Sequence, residues 1–188
     1  AAKRFIVHEK HVDDFIDGFL SKLMGTQVEN PEDNESFIGP MARVDLAEEL
    51  EDQMKKSVEM GAQLIHGGNR NGAHFQPALL AKVKPGMPVF DEETFGPLAS
   101  VTTFNTEQEA LELTNHTDYG LGASVISKNP ERHVSLLREI QGGAVFFNEI
   151  VKSDPRLPFG GTHKSGYGRE LAKEGILEFT NQKVIYFA

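Results

Sequence analysis

Apolar residues at Val12, Phe15, Ile16, Phe19, Leu20 and Leu23 follow the i, i+3, i+4, i+7 spacing of one helical face, which predicts a helix over residues 11–24. Leu46, Leu50, Met54 and Val58 recur every fourth residue and predict a second helix over 45–60, with Asp45 and Glu48 as its capping box. Before the first helix, residues 3–7 (Lys-Arg-Phe-Ile-Val) read as a short strand. Residues 25–40 carry the Asn, Pro, Glu and Asp of a loop. Strand-like runs follow at 63–66 and 77–83, and the rhythm then becomes regular. Strands at 98–104, 122–127 and 144–147 alternate with helices at 106–115 and 130–140. Thr106 with Glu109 caps the first of these helices, and Asn129 before Pro130 starts the next. A long loop (148–168), a helix over 169–179 and a terminal strand at 183–187 complete the pattern.

Strands separated by helices of about ten residues point to a parallel or mostly parallel sheet flanked by helices. The expected fold class is therefore α/β, with residues 1–188 forming a single domain, since no repeat or low-complexity tract divides them. Both faces of the terminal strand are apolar, so both are expected to be covered.

Composition narrows the function. There are 19 Lys and Arg against 28 Asp and Glu, a formal net charge of −9, which argues against a nucleic-acid partner and against an anionic membrane surface. No apolar run is long enough to span a bilayer. The absence of cysteine excludes a disulfide scaffold, a thiolate metal cage and a thiol nucleophile on this chain. It fits a reducing compartment, and the expected location is cytoplasmic. The chain opens Ala-Ala-Lys without methionine or signal peptide, and is expected to be a piece of something longer.

The densest glycine run, residues 160–168, resembles neither common phosphate loop. A P-loop requires Gly before its Lys-Ser/Thr, where this chain has His163, and a dinucleotide fingerprint requires a strand leading directly into the glycines. The run reads as a tight turn that delivers the chain to the helix beginning at Arg169. Asp91, Glu92 and Glu93 are adjacent carboxylates, expected to point different ways on one short segment, with no His at ligand spacing. The seven His residues form no H-E-x-x-H pattern, and no Gly-x-Ser-x-Gly elbow is present.

Several stretches together resemble the C-terminal catalytic half of the aldehyde dehydrogenase family. Residues 92–97 (E-E-T-F-G-P) are similar to its E-E-x-F-G-P signature, and residues 115–123 to its N-x-x-x-Y-G-L-x-A segment. Residues 143–148, 158–161 and 165–170 are similar to its G-x-V-x-x-N, P-F-G-G and S-G-x-G-R-E motifs, in order and at fitting spacing. The wording of residues 153–161 is nearest to succinate-semialdehyde dehydrogenases.

The resemblance implies an oxidoreductase that converts an aldehyde to an acid with NAD or NADP, through a thioester on a cysteine. By this alignment the cysteine lies two residues before Ala1, so the isolated chain is expected to be inactive. The cofactor-binding domain and the general-base glutamate also lie upstream. Residue by residue, Glu93 matches the carboxylate that accepts the nicotinamide ribose hydroxyls, and Phe95 the aromatic beside the nicotinamide. Phe159 matches an aromatic lining the aldehyde tunnel. Asn148 opens the loop that varies most with substrate, where Lys152, Ser153 and Arg156 are candidates to hold an acid tail. The family's terminal strand joins a neighbouring subunit, which implies a homo-oligomer. The alternative from a different class is a non-catalytic α/β packing or oligomerisation module.

Overall fold

The computed structural model describes residues 2–24, 31–32 and 37–188. Most of the loop expected over 25–40 lies outside the described residues. The chain gathers into two compact units, Ala1–Leu113 and Thr114–Ala188, where the sequence reading has one domain.

The first unit is built on a four-stranded sheet. β1 (Arg4–His8) leads through a 3₁₀ turn into α1 (Val12–Leu23), followed by α2 (Val44–Glu59) and β2 (Gln63–His66). A two-residue hairpin, β3 (Arg70–Asn71) and β4 (His74–Phe75), precedes β5 (Ala78–Ala81), the short α3 (Pro88–Asp91) and β6 (Leu98–Phe104). α4 (Glu107–Asn115) runs across the division between the units.

The sheet order is β1-β6-β5-β2. β1 and β5 both run parallel to β6, in registers Arg4↔Ser100 and Ala78↔Leu98, while β2 pairs antiparallel with β5. The sheet is thus mixed, with parallel pairing at its centre. Leu98 to Thr102 are all buried, as a central parallel strand covered on both faces requires. On one face Leu98 and Leu80 meet Leu50 and Met54 of α2 and Val89 and Phe90 of α3. On the other, Leu79, Ala99 and Val101 meet the Val12, Phe15, Ile16, Phe19, Leu20, Leu23 face of α1 that the spacing predicts.

α2 differs from its expected face and cap. Its buried stripe is Ala47, Leu50, Gln53, Met54 and Ser57, whereas Val58 is 39 % exposed. Gln53 and Ser57 sit inside because both are hydrogen-bonded. The Ser57 hydroxyl donates to Gln53 O at 2.8 Å and accepts from Val89 N at 3.1 Å. Asp45 does not cap the helix; it lies inside the first turn, its carboxylate paired with Arg43 at 2.5 Å. The Thr106–Glu109 cap does form. Thr106 Oγ1 accepts from Glu109 N at 3.2 Å, and the Glu109 carboxylate accepts from Asn105 N at 2.8 Å.

The second unit consists of short elements: β7 (Tyr119–Gly120), β8 (Gly122–Val125), a 3₁₀ turn into α5 (Val134–Glu139), β9 (Ala144–Phe147), β10 (Thr162–His163) and α6 (Ala172–Leu177). β8 and β9 pair in parallel and β10 pairs antiparallel with β7. The helix expected over 169–179 is shortened at its start. Glu170 exchanges two backbone hydrogen bonds of 2.8 Å with Phe159, and Leu171 and Ala172 have φ of 65° and 48°. A backbone committed to that bridge cannot begin the helix. Residues 183–187 form no strand and pair with no strand among the described residues, and Val184, Ile185, Tyr186 and Phe187 are 67–91 % exposed. The expected terminal strand with two covered faces is therefore not formed within the chain. No described helix is long and apolar enough to cross a membrane.

Candidate functional site

The residues singled out by the sequence fall in different units. Glu93 and Phe95 belong to the first, and Lys152, Ser153, Arg156 and Phe159 to the second.

In the first unit, the segment from α3 to β6 carries three carboxylates that do point different ways. Asp91 accepts from Gly86 N at 2.9 Å, and Glu92 accepts from the buried Gln53 amide, also at 2.9 Å. The same Gln53 amide reaches Glu93 O at 3.5 Å, so α2 fixes the backbone on which Glu93 stands. Thr94 is buried, while Glu93 and Phe95 on either side are exposed, Phe95 by 71 %. Gly96 packs closely on the buried Leu50, whose Cδ2 a Cβ at this position would meet at 2.5 Å. From this clamp the chain enters the buried β6, a rigid support for a site.

Lys3 completes this surface. Its ammonium donates to Gly96 O at 3.2 Å and lies 5.9 Å from the centre of the Phe95 ring. Partial burial lowers the Lys3 pKa from its ordinary value, and the Glu93 charge opposes that shift. The sequence reading missed Lys3, Gln53 and Thr94. Lys3 reaches the site only through the pairing of β1 with β6, and Gln53 reads as a solvent-facing polar residue. A carboxylate and an aromatic face presented together, with a cation beside them, can accept two hydroxyl donors and support a flat ring.

In the second unit, β9 and the loop after it wall a cavity of about 370 Å³. Phe159, Pro158 and Leu157 give it apolar walls, and Glu149, Lys152 and Asp154 give it charge. Phe159 and Lys152 thus share one cavity, whereas Ser153 and Arg156 are not among its lining residues. Phe159 is fixed by its bridge to Glu170. Asn148 has φ of 52° and closes the end of the β8–β9 pair, with its side chain accepting from Ser127 N and donating to Ser127 O, both at 2.8 Å.

Both candidate cations of the loop are already paired. Lys152 Nζ lies 2.8 Å from Glu149 Oε2. Asp154 accepts from Arg156 Nε at 2.9 Å and Nη2 at 2.6 Å, which holds the Asp154 carboxyl well below the usual carboxylate range.

The glycine run forms a brace. Thr162 Oγ1 donates to Gln141 O at 2.7 Å, and Ser165 Oγ accepts from Gly120 N at 3.0 Å. A Cβ on Gly161 would meet Ser165 Cβ at 2.5 Å. Among the described residues, no group of three or more His, Asp or Glu is placed to hold a metal ion.

The sequence profile of the aldehyde dehydrogenase family matches residues 1–185. The Escherichia coli protein named succinate semialdehyde dehydrogenase [NAD(P)+] Sad is 38 % identical over 189 residues, which cover 99 % of this chain and 41 % of that protein. A solved structure of succinate-semialdehyde dehydrogenase from Burkholderia pseudomallei superposes with a TM-score of 0.90 at 33 % identity, covering 95 % of this chain and 38 % of the other. A succinic semialdehyde dehydrogenase from Streptococcus pyogenes, solved in complex with NADP+, gives 0.90 at 33 % identity and covers 98 % of this chain and 41 % of that one. The chain therefore spans about two fifths of the length of the relatives it matches.

Proposed function

The chain belongs to the aldehyde dehydrogenase family, and from that premise we propose that it forms the C-terminal part of an NAD(P)-dependent enzyme that oxidises succinic semialdehyde to its acid. The observation that carries this reading is the exposed pair Glu93 and Phe95 flanking a buried Thr94 on a clamped segment. Supporting it are the names of the relatives and the wording of residues 153–161.

The donor set fits the nicotinamide half of the cofactor. Glu93 accepts the two ribose hydroxyls, and charge-assisted bonds of this kind fix the sugar and hence the ring it carries. Phe95 offers its exposed face beside that ring. Bound NAD(P)+ supplies the hydride acceptor. Phe159 and its neighbours give the aldehyde an apolar wall that keeps water from a thioester that must not hydrolyse early. The thioester forms on a cysteine outside this chain, since the 188 residues contain none. The isolated chain then turns over no aldehyde. The exposed residues 183–187 add to a sheet of a second copy, which makes the intact enzyme a homo-oligomer.

Glu93→Gln in the full-length protein tests the reading. The substitution exchanges a charged acceptor for a neutral one, and we expect a loss of about 1–3 kcal/mol in cofactor affinity or in hydride transfer. The fold stays intact because Glu93 is exposed. Cofactor titration and single-turnover kinetics measure the loss, with the isolated chain as the inactive control. Unchanged kinetics would reduce Glu93 to a surface carboxylate.

A further inference from the structure

The cavity in the second unit has a charge balance that an acid-tailed substrate would feel. Its walls carry two carboxylates, Glu149 and Asp154, against one ammonium, Lys152. Arg156, which pairs with Asp154, is not among the lining residues, and its side chain is 86 % exposed. The two acids differ in what holds them. Asp154 is locked by three donors, Arg156 Nε, Arg156 Nη2 and Arg156 N. Glu149 accepts from Ile150 N at 3.0 Å through Oε1 and from Lys152 Nζ at 2.8 Å through Oε2. The single lining cation is thus occupied by a carboxylate three residues away.

We propose that Glu149 sets the selectivity of this pocket for substrate charge, by holding Lys152 as an internal counterpart of the substrate's own acid group. The proposal rests on the reading that this cavity receives the aldehyde. A substrate carboxylate that takes Lys152 must share the ammonium with Glu149 or displace it, and in either case it meets a like charge on the same wall. A neutral aldehyde of equal length incurs neither cost. Glu149 therefore tunes down the preference for acid-tailed aldehydes that Lys152 alone would give.

Glu149→Gln keeps the shape of the side chain and frees the ammonium. In the full-length protein, the ratio of kcat/KM for succinic semialdehyde to that for butanal is expected to rise about threefold to fivefold, the size of one exposed ion pair. The change appears in KM for the acid-tailed substrate, and high salt diminishes it. Lys152→Gln in the Glu149→Gln background returns the ratio to its original value or below. A ratio that does not move, or that survives loss of Lys152, overturns the proposal. Calorimetry with succinate and with neutral succinamide reads the same selectivity without turnover. If neither aldehyde is oxidised but Glu149→Gln tightens succinate selectively, the charge selectivity stands and the enzymatic reading falls. If the aldehydes are oxidised and the ratio stays fixed, the reverse holds.

Discussion

Leu79 and Phe179 are both large apolar residues, yet Leu79 is fully buried in the first unit and Phe179 is 94 % exposed in the second. The contrast is general. All the buried apolar residues of the described chain except Ile140 lie in the first unit. There a central strand is covered by α1 on one face and by α2 and α3 on the other, so burial of apolar area is the dominant stabilising term. The second unit holds itself with short ladders, close glycine approaches and exposed pairs such as Lys164–Asp118 at 2.6 Å. Surface ion pairs of that kind contribute little each. The family's two tasks divide along the same line. The segment proposed to orient the cofactor stands on the rigid sheet, and the loop proposed to recognise the substrate stands where few packed contacts constrain its sequence.

The largest expected effect tests that division of stability. Leu79→Ala leaves a cavity between β5 and α1, and should cost about 2–5 kcal/mol. Phe179→Ala removes a side chain that touches mostly solvent and should change stability by less than about 0.5 kcal/mol. Urea unfolding followed by a probe in each unit measures both. Equal costs for the two substitutions would show that Phe179 is covered in solution and would break the comparison.

Apolar periodicity foretold the parts of the first unit that periodicity controls. The α1 face follows from it, because a helix with one apolar stripe leaves a clear pattern, while the span of β6, whose apolar run is broken by the buried Ser100 and Thr102, follows from the alternation of strands with helices. What it could not reveal is which strands lie side by side. The neighbour relation of β1 and β6 joins residues almost a hundred positions apart, and it alone brings Lys3 to Gly96 and Phe95. Gln53 and Ser57 escaped for a different reason: they are polar residues buried because hydrogen bonds satisfy them, which a hydrophobicity pattern assigns to solvent. In the second unit, residue 170 pairs with residue 159, and that bridge overrode the local helical pattern of 169–179. Glu93, Phe95 and Phe159 were identified through motif resemblance, while the pairing of Lys152 and Arg156 by neighbouring acids emerged only from the geometry.

A smaller effect sharpens the account of the first unit. Thr102 is 4 % exposed on β6, and its hydroxyl has no hydrogen-bond partner among the described residues. A buried polar group left unpaired carries a desolvation cost that an apolar group of the same shape does not. Thr102→Val should therefore stabilise the chain by about 1 kcal/mol. A rise in the urea midpoint with an unchanged slope is the expected result. Destabilisation would mean that the hydroxyl finds a partner in solution, and that this sheet is held partly by a polar contact, as the second unit is.

The smallest effect belongs to the second unit and concerns pH. Arg156 holds the Asp154 carboxyl below its ordinary value, and Lys152 and Lys164 lower those of Glu149 and Asp118. A depressed acid binds fewer protons folded than unfolded, so stability rises with pH across the interval between the two values. The contribution is present above the ordinary carboxylate value near 4 and is lost as pH falls through the lower, folded value. Because Arg156 is highly exposed, solvent and salt screen the pair. Asp154→Asn should lower the thermal midpoint slightly at pH 7, and the gap from the parent should close as pH falls below about 4. Raising the salt concentration at pH 7 should narrow the same gap, while leaving the cost of Leu79→Ala almost unchanged, since apolar burial is not screened. A gap that persists in acid and in high salt would show that Asp154 acts through packing rather than charge, and would place this loop closer in character to the first unit.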